Sequence, residues 1–134
     1  MIYSHILSIP KNTSKYTPTT HDLNLPHGII HRLIVGFPPG CNATAHLAVF
    51  HKEHQIFPSD PDEDFAWGAY VMDWPEFYSI EDAPYFVSLR GWNDSTQYSH
   101  AVWIAVGVLP REVLLPASQE MGILKRLGSL IFGK

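Results

Sequence analysis

This sequence predicts an all-β fold, an antiparallel β-sandwich of about six or seven short strands, and three observations carry that prediction. Residues 91–110 hold the longest alternating apolar run, with His100, Val102, Ile104, Val106 and Val108 on one side and Ala101, Trp103, Ala105 and Gly107 on the other. Alternation at period two with β-branched residues reads as a strand, and the lack of polar residues on either side predicts cover on both faces. Residues 28–37, GIIHRLIVGF, repeat the pattern. Finally, 11 prolines and 9 glycines are spread along the chain and cut it into short pieces, the habit of an all-β domain. A jelly roll is one form such a sandwich can take.

The elements follow in order. Residues 1–27 read as an N-terminal strand and extended arm: Ile2, Ile6, Leu7 and Ile9 precede Pro10, and the Thr-rich piece after it is polar and irregular. Pro18 and Pro26 limit any ladder this arm joins. Such an arm is either disordered or held by a neighbour. Residues 28–110 form the sandwich core. Within it, 28–37 and 43–51 are strands joined by the turn Pro38-Pro39-Gly40-Cys41-Asn42 into an expected hairpin. Residues 52–64 hold a short Gln55-Ile56-Phe57 piece and an acidic, proline-broken loop. A strand is expected over 65–74, then a loop over 75–84 around Phe77-Tyr78. Residues 85–92 alternate again, with Val87 and Leu89 inward. Residues 111–134 form a linker and a short amphipathic helix, capped by Ser118 and striped by Leu124, Leu127 and Ile131. That apolar stripe wants cover, from its own domain or from another subunit.

Size and charge narrow the function. At 134 residues the chain is long enough for one domain with a real core. Charged residues make up only 16%, which favours a partner covering part of the surface. A net charge of −4 offers no basic footprint for nucleic acid and no polybasic arm for a membrane. The single cysteine, Cys41, rules out an intrachain disulfide and fits a protein made in reducing cytosol. No signal-peptide pattern stands at residues 1–12, and no apolar run nears the roughly 20 residues that span a bilayer.

Candidate chemistry is sparse. Eight histidines invite a metal hypothesis, centred on His46, His51 and His54 with His31 and His100 on neighbouring strands. A metal needs converging ligands, however, and an odd spacing on one strand points His46 and His51 to opposite faces. Asp60, Asp62 and Asp64 imitate a calcium loop, but Phe65 stands where glycine is needed and Val71 where a glutamate belongs. Cys41 lacks a Cys-His signature, and no hydrolase, P-loop or dinucleotide motif occurs. Neither a catalytic residue nor a cofactor is expected. Aromatics are the better clue. Exposed ones stack on sugars or anchor protein interfaces, and Trp67, Trp74 and Trp92 are candidates for a sugar-binding row. Trp103, flanked by Ala101 and Ala105, is placed to pack on a second layer or a neighbouring subunit.

Three motifs, FPPGC at 37–41, HQIFPSDPD at 54–62 and GWNDSTQYSH at 91–100, stand between GIIHRLIV and AVWIAVGVLP. Together they resemble small structural proteins of tailed bacteriophages, of the capsid-decorating or cement type. The likeness covers roughly residues 25–110. It implies a β-sandwich module of the virion, made in the host cytoplasm, that binds the major capsid protein and forms a homo-oligomer. Tyr3, Tyr16 and Leu25 in the arm, Trp103, and Leu124, Leu127 and Ile131 in the tail are the expected contacts. The alternatives are a carbohydrate- or receptor-binding module of a phage tail, and a metal-dependent enzyme using His46, His51 or His54.

Overall fold

The computed structural model describes residues 1–110 and Glu112. Among them eight strands follow one another: β1 (Ile2–Ile9), β2 (Thr19–Asn24), β3 (Gly28–Phe37), β4 (Ala45–His51), β5 (His54–Phe57), β6 (Tyr70–Ile80), β7 (Phe86–Asn93) and β8 (His100–Leu109). They form two four-stranded sheets, ordered β1-β8-β3-β6 and β2-β7-β4-β5. All six pairings are antiparallel, and four of them nest: first with eighth, second with seventh, third with sixth, fourth with fifth; β3 with β8 and β4 with β7 complete the two sheets. The expected β-sandwich is therefore the fold, and this wrapping of eight strands into two sheets is the jelly roll.

Alternation decides which side chains enter the core. Leu33, Val35 and Phe37 of β3, Leu47 and Val49 of β4, Val87 and Leu89 of β7, and Val102, Ile104, Val106 and Val108 of β8 are all buried between the sheets. Each fully buried aliphatic side chain contributes about 1.5–3 kcal/mol. One residue breaks the parity. The register of β3 slips between Ile30 and Arg32 against both neighbours, so Ile30 turns inward and is fully buried. The extra residue, His31, lies over Gly107, where an added Cβ would come within 2.9 Å of its Nε2.

Four expectations are corrected. β3 and β4 are no hairpin: β3 pairs with β6 and β8, β4 with β5 and β7, and the connection crosses from one sheet to the other. Their apolar faces meet across the core instead of lying side by side. The expected N-terminal strand is β1, but the polar piece after it is not all arm: it supplies β2, and the two are edge strands, one in each sheet. Residues 75–80 belong to β6 rather than to a loop, and Pro75 is tolerated because β6 is an edge strand. Finally, β8 is covered on one face only along its first half, where Ala101 and Trp103 are exposed. The tail helix expected in 111–134 lies outside the described residues.

The motif GWNDSTQYSH closes the fold at one end. Asn93 is 1% exposed. Its Nδ2 donates to the carbonyls of Ile9 and Tyr98, and its Oδ1 accepts from the Ser95 amide. At the open seam between β1 and β2, His5 and His21 stack face to face, ring centroids 3.5 Å apart. Burial first, and the facing His21 second, hold the His5 imidazole below its ordinary value of 6.5. The unfolded chain thus takes up this proton more readily than the folded one. The stack's contribution is complete above the ordinary imidazole value, begins to be lost as pH falls below that value, and is gone once pH has passed the lowered value of the folded state. Urea denaturation should show stability dropping below about pH 6.5, and His5→Gln should flatten that slope; an unchanged slope would contradict the assignment. Asn93→Ala should cost about 1–3 kcal/mol in the same assay by stranding its buried partners.

Candidate functional site

The most distinctive surface is the outer face of the β1-β8-β3-β6 sheet. Register places Ile6 beside Trp103, Trp103 beside Gly36, and Gly36 beside Val71. These four residues form one row across all four strands. Ile6 is 63% exposed, Val71 55% and Trp103 38%. The Trp103 ring lies across Gly36, where an added Cβ would sit 3.2 Å from its Cε3. Glycine there lets the indole lie flat on the sheet. With Phe37, Pro38 and Ala101 the row lines a shallow, almost wholly apolar hollow of about 360 Å³. Trp67 and Tyr70, rings 5.9 Å apart, are exposed near the β6 end of the row.

Polar residues border the row. Arg32 and Asp73 form a two-pronged ion pair between β3 and β6, Nε donating to Oδ1 at 2.9 Å and Nη2 to Oδ2 at 2.5 Å. These hydrogen bonds hold the Asp73 carboxyl below its ordinary range and the Arg32 guanidinium above its own. Both side chains are exposed, so the pair's value is in orienting the rim rather than in stability. An apolar centre with a polar border is the anatomy of a protein interface.

The sequence-expected contacts scatter. Tyr3 is half-buried and packs against the core. Leu25 is a correction: it is 6% exposed and belongs to the core, its amide donating to the Tyr85 carbonyl. Tyr16 is exposed, but in the β1–β2 connection, beside the opposite sheet. Of the expected residues only Trp103 lies in the apolar row. Leu124, Leu127 and Ile131 lie outside the described residues. Ile6, Gly36 and Val71 were missed, because their contribution depends on which strands are neighbours, and that pairing is non-local.

The histidines do not converge. His46 stands between two carboxylates, Nδ1 to Asp64 Oδ1 and Nε2 to Asp94 Oδ2, each at 2.7 Å. They grip opposite sides of the ring, which binds two loops to β4 and leaves no common point for a cation. His51 faces the other sheet, as its spacing requires. Its Nε2 donates to the Pro84 carbonyl, and in the neutral ring Nδ1 accepts from the Tyr78 hydroxyl. His54 is exposed on β5. Among the described residues no cluster of three or more ligating side chains could hold a metal ion. The acidic loop is organised from within: Gln55 Nε2 donates to the carbonyls of Pro58, Asp60 and Glu63, and Asp60 Oδ1 accepts from the Asp62 amide. Cys41 is buried, which pushes its thiol up and away from reactivity. The row of Trp67, Trp74 and Trp92 does not form either. Trp74 is on β6, Trp92 is nearly buried on β7 of the other sheet, and Trp67 is in a loop.

No protein-family model matches the chain, and comparison with curated proteins and with solved structures returned no match.

A row built for something other than folding should be removable without loss of the fold. Trp103→Ser should cost about 1 kcal/mol or less in chemical denaturation, against roughly 2–5 for Ile104→Ala one position along. Equal losses would make Trp103 a core residue.

Proposed function

We propose that this chain is a virion structural protein of the capsid-decorating type, which binds a major capsid protein and neighbouring copies of itself and reinforces the shell by burying surface. One observation carries the reading: the row Ile6–Trp103–Gly36–Val71, exposed and apolar, on a rigid sheet face with a polar border. Contiguous apolar surface of this kind marks protein contacts, and a central tryptophan beside a hollow has the form of a binding hot spot. Jelly rolls occur among viral capsid and lectin domains; that fold-level analogy favours the reading without selecting a partner. The role needs no reaction, cofactor, nucleic acid or membrane. The metal-enzyme alternative loses support from the separate engagements of His46 and His51. The sugar-binding alternative loses the tryptophan row on which it was expected to rest.

The test uses shells lacking the protein, to which purified native chain is added back. Ile6→Asp and Val71→Asp alter side chains that are already exposed, so both variants should fold as the native chain does, with unchanged circular dichroism. Each should weaken shell binding by about 2 kcal/mol, roughly thirtyfold, as hot-spot residues do. Undiminished binding by both would overturn the assigned face. Removing residues 118–134 should weaken binding while leaving the sandwich folded; unchanged binding by that truncation would count against a contact role for the tail.

A further inference from the structure

We propose that the outer face of the opposite sheet, β2-β7-β4-β5, carries a second site, which binds a single neutral sugar ring. A cleft of about 170 Å³ lies there, lined by Lys15, Tyr16, Phe50, Glu63, Arg90 and Trp92 among others. It falls below the few hundred Å³ typical of pockets for larger organic ligands, and it suits one ring rather than a chain.

The lining selects the chemistry. Trp92 stacks on His46 with one face, centroids 5.3 Å apart and planes 2° from parallel. The Lys15 ammonium, a movable side chain, stands 5.4 Å from the same indole. Beside it Arg90 lies over the Phe50 ring at 4.0 Å and donates to Glu53. Tyr16 is 92% exposed in a turn that already satisfies its own backbone, the Tyr16 amide donating to Ser14 Oγ and the Thr17 amide to the Ser14 carbonyl. The fold gains nothing from that ring, which stands at the cleft where it can cover a ligand.

Charge singles out neither sign: the rim carries Lys15 and Glu63, while the Arg90 charge is already met by Glu53. Among the described residues neither Lys15 nor Glu63 forms an ion pair, so a donor and an acceptor remain available on one rim. Hydroxyl groups both donate and accept and can satisfy the two together. A sugar also presents an apolar C–H face, which aromatic side chains take. The site shares no residue with the apolar row on the other sheet, so the two proposals stand or fall separately.

The experiment titrates the isotope-labelled full chain with neutral monosaccharides (glucose, galactose, mannose and N-acetylglucosamine), alongside glucuronate and glucosamine as charged counterparts. The expected result is millimolar binding of at least one neutral sugar, read from the Trp92 indole N–H and the amides of residues 15–18. Tyr16→Ala and Glu63→Gln should each weaken it about tenfold, while Trp103→Ser binds as the native chain does. A panel in which no neutral sugar shifts these resonances would overturn the proposal. So would a response confined to the charged sugars, or neutral binding indifferent to both cleft variants.

Discussion

The ladder between the first strand and the last is the constraint on which the rest depends. Eight residue pairs, from Ile2 with Gly107 to Ile9 with His100, join segments at opposite ends of the described chain. The Met1 ammonium extends the ladder by donating to the Val108 carbonyl, 107 residues away, while the Val108 amide donates back to Met1. Closing so long a loop costs conformational entropy that no local turn offsets. Buried contacts on the inner side do so instead, with Leu7 and Ile9 set against the second sheet. Gly91 records how close that packing is: an added Cβ would sit 2.5 Å from Ile9 Cδ1.

The same ladder makes the outer face. With β1 on one side and β3 on the other, β8 lies inside the sheet, and its outward side chains become part of a four-strand surface. Ile6 reaches Trp103 only because β1 is in place. Polar residues could stand at those outward positions with no loss to the core, since alternation already supplies the inner faces with Val102, Ile104 and Val106. Apolar side chains in a row that folding does not require are the basis for reading the face as a contact surface. The opposite sheet differs in kind. Its outward residues pair ring with ring and cation with ring, at His46 with Trp92 and Arg90 with Phe50.

What could be read from the residues was what depends on near neighbours along the chain. Period-two alternation located β3, β4, β7 and β8 and named most of the inward side chains. It could not say which strands pair, because the same alternation serves a hairpin and a crossing between sheets; β3 and β4 were misjoined for that reason. β6 was hidden by Pro75, which is admissible only at an edge, and edges exist only once the sheet is assembled. The bulge at His31 reversed Ile30 for a similar reason, since it answers to Gly107 on another strand. Leu25 looked free within a polar segment, and its burial depends on the far side of the sandwich. The three conspicuous motifs turned out to shape loops. Asn93 braces GWNDSTQYSH, Gln55 gathers the loop of HQIFPSDPD, and the Cys41 carbonyl accepts from both the amide and the hydroxyl of Thr44.

In the proposed capsid-decorating role, the bare face of the β1-β8-β3-β6 sheet meets a protein of the particle. Hydroxyl-radical footprinting of the free chain and of the same chain on intact particles compares the two states directly, without altering a residue. Ile6, Val71 and Trp103 should be labelled in the free chain and protected on the particle, while Tyr16 on the other sheet keeps its labelling. Full labelling of Trp103 and Val71 on the particle, with protection elsewhere, would contradict that contact.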